Sequence, residues 1–174
     1  MIARTVGLVA AVGLSTMAAC TRASGVETGG GVGRVHITLG GANDTAGFQI
    51  PVRARRCGNG RGLVLDGALH GNGLLVWLRD GTRPPGNGSY PLLSRGDSAA
   101  PLGAIASVRF VVGTVAHGVT IDSGAAVLTR GTPPFAVHIN GSGSDLAASG
   151  RRVVVLSADG VPLEPDTVSC VVQL

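Results

Sequence analysis

Short runs in which apolar and polar residues alternate recur from about residue 35 almost to the C-terminus. Val35, Ile37 and Leu39 alternate with His36 and Thr38, and Phe48, Ile50, Val52 and Ala54 alternate with Gln49, Pro51, Arg53 and Arg55. A period of two places the apolar set on one face of an extended strand and the polar set on the other. The pattern returns over 105–112, with Arg109 facing outward, and over 135–140, where Phe135, Val137 and Ile139 alternate with Ala136, His138 and Asn140. Apolar runs at 63–65, 74–78, 119–121, 125–129, 153–156 and 168–172 extend the set; the run Leu74–Leu78 (LLVWL) reads as a strand buried on both faces, with Trp77 in the core. Asp66-Gly67, Asp80-Gly81, Asn140-Gly141 and Asp159-Gly160 read as turns between strands, and Asp122-Ser123-Gly124 separates 119–121 from 125–129. Pro51 marks an edge strand or a bulge. Eight to ten short strands at this spacing predict an all-β domain, an antiparallel β-sandwich or flattened barrel. The longest irregular stretch, 81–102, is either a functional loop or hides a strand near Tyr90–Leu93.

Composition supports this picture. The chain has 174 residues with 29 Gly and 9 Pro, and its glycines follow no collagen-like period, so they read as turn-makers. Charged residues make up 14% against 44% hydrophobic, which argues against a disordered or acidic-tail protein.

The first residues do not belong to this pattern. Arg4 is followed by the apolar run Val6–Leu14 and the small-residue run Ser15–Ala19, which together read as an export signal over residues 1–19, too short to span a bilayer. Met17-Ala18-Ala19-Cys20 resembles the lipobox of bacterial lipoproteins, with Met17 where Leu is preferred. That resemblance implies cleavage before Cys20 and a diacylglycerol on its thiol, so that a membrane is the partner through N-terminal acyl chains. The alternative is ordinary cleavage after Ala18 or Ala19. Two or three acyl chains make such anchoring stable, since each buried CH₂ contributes about 0.8 kcal/mol. Residues 20–33 then read as the lipidated Cys and a flexible tether, and 34–174 as the β-domain. Thr21 is not the Asp that retains enterobacterial lipoproteins at the inner membrane, which points to the outer membrane or cell surface.

With Cys20 set aside, Cys57 and Cys170 remain. An even pair in an exported chain reads as one disulfide, the alternative being two buried free thiols. All 14 basic residues are Arg, and loss of Arg4 with the signal leaves 13 against 10 acids. This mild excess does not make a basic stripe. Arg53, Arg55, Arg56 and Arg61 form the densest cluster and a candidate contact for an anionic surface, weighed against a plain solvated strand face. Five aromatics in the whole chain provide little stacking for single-stranded nucleic acid.

Catalytic and cofactor signatures are weak. His36, His70, His117 and His138 are scattered without CxxC or HxH spacing, so no metal is expected. Gly58-Asn59-Gly60-Arg61-Gly62 lacks a following helix, and Gly141-Ser142-Gly143-Ser144-Asp145 falls short of a nucleophile elbow. Neither a cofactor nor an enzymatic activity is expected. Arg95-Gly96-Asp97 is an integrin-type tripeptide within the long loop, and Tyr90 is either an exposed contact residue or an anchor for that loop.

The lipobox Cys, the Gly/Ser/Thr tether, the early Cys57, the Gly-rich strands and the late Cys170 together resemble the mycobacterial LpqH lipoprotein antigen family. That resemblance implies a surface β-domain engaged in envelope contacts or recognition, with no catalytic residues to carry over. The function expected is therefore a lipid-anchored envelope protein with a structural, adhesive or interaction role, its partner an envelope polymer or a protein. The alternative is a carrier of a lipid or small apolar ligand in a cavity between sheets.

Overall fold

The computed structural model describes residues 31–38, 45–94, 97 and 100–170. They form ten strands: β1 (Gly31–Thr38), β2 (Thr45–Cys57), β3 (Gly62–Leu69), β4 (Asn72–Asp80), β5 (Gly88–Pro91), β6 (Leu102–Val112), β7 (Val115–Arg130), β8 (Phe135–Asp145), β9 (Arg151–Val161) and β10 (Leu163–Val168). Eight of them close into an antiparallel barrel in the order β1-β9-β8-β7-β6-β4-β3-β2, with β2 pairing back onto β1. Closure leaves these strands without a free edge, which suits a chain poor in the lysines that often guard edges.

The two remaining strands follow from the length of their partners. β7 pairs with β6 through its first half and with β5 through its second. β2 pairs with β1 up to Val52, and β10 then runs parallel to β2 from Ala54 along the same edge. Pro51 stands in β2 just before the β3 ladder begins at Arg53, which is how an interior strand accepts it.

The expected period of two fills the barrel. Ile37, Leu65, Leu78, Phe110, Ile121 and Phe135 are among the fully buried side chains, each on the inward face of its strand. Leu74–Leu78 departs from its expected burial on both faces: Leu74, Val76 and Leu78 point inward, Leu75 is 42% exposed and Trp77 lies on the outer face. One outer layer of solvent replaces the second sheet that the LLVWL run suggested.

Several expected turns are strand interiors. Asp66-Gly67 lies within β3 and Asn140-Gly141 within β8, while Asp122-Ser123-Gly124 is a bulge inside the single long strand β7. Asp80-Gly81 does end β4, with Gly81 at φ 59°. Asp159-Gly160 falls in the last residues of β9. The β3–β4 reversal is made by His70 and Gly71, both at positive φ, and His70 is the one described non-glycine residue there. β1 begins at Gly31, inside the expected tether, because Gly31 and Gly33 pair with Val52 and Ile50. The expected strand at 168–172 is placed earlier, at Leu163–Val168, and residues 171–174 lie outside the described set.

Alternating chain direction gives the barrel two unlike ends. The entry end holds Gly31, Cys57, the 58–61 turn and the segment between β4 and β6. The tip end holds the β3–β4 and β6–β7 reversals and the β8–β9 loop.

Candidate functional site

Cys57 and Cys170 form a disulfide at the entry end, joining positions 113 residues apart. Val168 pairs with Cys57, so β10 delivers Cys170 to its partner. The bridge lies on the outer face over Gly62, where a methyl group would meet the Cys57 sulfur and come within 2.8 Å of Trp77 Nε1. The Arg79 guanidinium stacks on the Trp77 ring at 4.7 Å, closing a small satellite cluster outside the barrel.

The four arginines near Cys57 divide into two pairs. Arg55 donates to Asp66 through Nη2 at 2.9 Å and also approaches Asp166 at 3.5 Å; the Asp66 bond, opposed by burial, raises its pKa. Arg53 shares Asp66 at 3.6 Å. Arg56 and Arg61 have no ion pair among the described residues. The pairing is legible after the fact: Arg53 and Asp66 are cross-strand neighbours in the β2–β3 register. Cys20, Arg95 and Gly96 lie outside the described residues, and Asp97 accepts a hydrogen bond from Ser94 Oγ at 2.7 Å.

Tyr90 is an anchor. It is 3% exposed on β5, and its hydroxyl donates to the Gly86 carbonyl at 2.7 Å and accepts from the Gly86 N–H at 3.0 Å. Burial raises its pKa, opposed by the Gly86 bond. The strand expected near Tyr90–Leu93 is therefore β5, slightly earlier at Gly88–Pro91.

Sequence reasoning missed the most concentrated polar group. At the tip end, Asp145 of β8 accepts from His117 Nδ1 of β7 at 2.9 Å, from Arg152 Nε of β9 at 3.2 Å and from the Ala147 N–H at 3.0 Å. The Asp145 side chain is fully buried, and His117 stacks on Phe110 of the core with centroids 4.9 Å apart. Burial pushes the Asp145 carboxyl up, but the bonds from Ala147, His117 and Arg152 together hold it below its ordinary value. The signal in the sequence was phase: His117, Asp145 and Arg152 fall on the inward face of their strands, in step with Val119, Gly143 and Val154.

The other histidines are separate. His70 is in a turn; His36 and His138 lie on the outer face, where His138 Nε2 is 3.7 Å from Asp159 and Arg34 is 3.6 Å from the same carboxylate. Beside them, Arg34, His36, Gln49, Val155 and Ser157 surround a shallow depression of about 540 Å³ over Gly47. No three metal-ligating side chains gather among the described residues, and none of their helices is long and apolar enough to cross a membrane.

No protein-family model, curated protein or solved structure matches this chain.

Proposed function

We propose that the chain is an exported envelope lipoprotein, held to a membrane by acyl chains on Cys20, whose barrel serves as a non-catalytic interaction module. The observation that carries this reading is the polarity of the barrel. The chain enters at Gly31, at the same end as the Cys57–Cys170 bridge and Arg56 and Arg61, and the tip end lies opposite. A tether from Cys20 thus meets the barrel at its most cross-linked and most basic end and leaves the hairpin tips directed away. A disulfide joining distant parts of the chain also suits an oxidising compartment. The carrier alternative draws less support, because apolar side chains from all eight barrel strands occupy the interior.

Cys20→Ser tests the anchor. The parent chain, expressed in a bacterium fed radioactive fatty acid, should carry label and partition with membranes. The variant should lose the label and appear in the soluble fraction; label that persists in it would contradict the reading.

A further inference from the structure

The C-terminal strand is held chiefly by a covalent bond. β10 pairs with β2 alone, at Leu163, Thr167 and Val168, and its register breaks between the first two. Glu164, Pro165 and Asp166 fill that gap, and Pro165 has no N–H to donate. Pro165, Asp166 and Thr167 are exposed, no β10 side chain is fully buried, and Leu163 is the one packed against the core. Beyond Leu163, the Gly58 N–H donates to the Val168 carbonyl at 3.0 Å and Arg55 Nη1 lies 3.5 Å from Asp166. The barrel itself closes through β1 and β2, without β10. The firm attachment of 164–170 is therefore the Cys57–Cys170 bridge at its end.

We propose that residues 164–170 are a redox-released acidic strap over the arginines of β2, latched by Cys57 and Cys170. The strap runs beside Arg53-Ala54-Arg55-Arg56 and carries Glu164 and Asp166 along that run. In the latched form Asp166 approaches Arg55, while Asp66 serves both Arg53 and Arg55. Release takes two acids away together and leaves Asp66 as the described acid still paired with the run. Segments with few buried apolar contacts and solvent-exposed backbone bonds open at the lowest free-energy cost. Opening this one sacrifices none of the pairings that close the barrel.

The chemistry requires a dithiol donor. Cys57 is 2% exposed, whereas Cys170 is only partly buried, so Cys170 Sγ is the sulfur open to attack. A thiolate of the donor attacks Cys170 Sγ, the Cys57–Cys170 bond breaks, and Cys57 leaves as a thiolate that takes up a proton. The donor's second thiol then attacks the mixed disulfide, closes the donor's own disulfide and releases Cys170 as a thiol. Two electrons and two protons pass from the donor to the pair. An oxidising compartment relatches the strap. Release uses only β2 and the segment 162–170, so it does not depend on acylation of Cys20.

The test uses the full chain with Cys20→Ser, in which Cys57 and Cys170 are the remaining cysteines. It is reduced with dithiothreitol, capped with neutral iodoacetamide and compared with the oxidised form by hydrogen–deuterium exchange. The Gly58 N–H and the amides of 164–170 should exchange about tenfold faster after reduction, while β6, β7 and β8 keep their protection. The joint Cys57→Ser and Cys170→Ser variant should match the reduced form, and it gives the same reading where the bridge resists the reductant. Formal charge is equal in the capped and oxidised forms, yet the capped form should elute from a sulfonate cation exchanger at higher salt. Arg55→Gln with Arg56→Gln should abolish that difference. Unchanged exchange at Gly58 and over 164–170 in the unbridged forms would overturn the proposal. So would loss of protection across β6–β8 at the same time, which would make the bridge a clamp on the whole barrel. Equal elution of the two forms would overturn the acidic cover. None of these readouts uses the fatty-acid label, so failure here leaves the anchor reading standing, and loss of the anchor leaves the strap.

Discussion

Asp145 is the residue on which most rests at the smallest scale. A fully buried carboxylate survives there because two cationic or donor side chains and one backbone N–H all point at it. Asp145→Asn keeps the shape but leaves Arg152 facing a neutral group, and should destabilise the fold by about 3 kcal/mol. A urea titration should show this as a lower midpoint with an unchanged slope. The pH dependence follows from the depressed carboxyl. Its stabilising contribution is fully present above the ordinary carboxyl value of 3.8 and is lost as pH falls through the lower folded-state pKa. The stability gap between parent and Asp145→Asn should therefore stay open at neutral pH and close only on acidification below about 4. A gap that closed between pH 5 and 7 would assign the effect to another group. Tyr90 illustrates the same logic in a neutral group: its ring fills core space while its hydroxyl ties down Gly86.

At the scale of elements, the barrel depends on close approaches that only glycine permits, Gly143 and Gly62 among them. Gly143 in β8 packs against the backbone of β7 beside the bulge, where an added methyl would run into the Thr120 carbonyl and lie 2.8 Å from the Ile121 Cα. Gly143→Ala should cost about 3 kcal/mol, since backbone must move, whereas Gly60→Ala, with open space around it but φ 71°, should cost about 1 kcal/mol. Thermal melts of the two variants side by side check the order. Gly62 makes another such approach, beneath the disulfide and Trp77. The bridge itself closes a 113-residue separation, and the joint Cys57→Ser and Cys170→Ser variant should lose about 4 kcal/mol by guanidinium denaturation. Non-reducing peptide mapping should recover the linked pair from the parent.

For the whole molecule, the direction of the barrel matters most. With the anchored reading, Arg56 and Arg61 stand near the membrane from which the tether rises, while Arg53 and Arg55 are compensated by Asp66 and Asp166. Removing Arg56 and Arg61, which have no ion pair among the described residues, should weaken salt-sensitive attachment to anionic vesicles by roughly thirtyfold, at about 1 kcal/mol for each charge near the surface. Arg53→Gln should change it little. Equal losses from both sets, measured by flotation across a salt series, would show that the cluster acts by gross charge rather than through Arg56 and Arg61.

The all-β character was legible because the period of two is a local property, repeated over 35–39, 48–55 and 135–140 and independent of what the strands meet. The Cys57–Cys170 pair was legible from parity, given the export signal expected at 1–19 and Cys20 set aside. Turn signals were less dependable: Asp66-Gly67 and Asn140-Gly141 look like reversals, yet Asp66 is held in mid-strand by Arg53 and Arg55, and Gly141 by the close approach of β7. Those constraints come from residues 11 or more positions away, which no local signal carries. Barrel closure, the sharing of β2 and β7 between successive partners, and the gathering of His117, Asp145 and Arg152 are likewise matters of register between distant strands. The sequence determined which side of each strand is apolar; only tertiary pairing decided which polar residues share one end of the barrel, because a buried charge finds its partners across the sheet rather than along the chain.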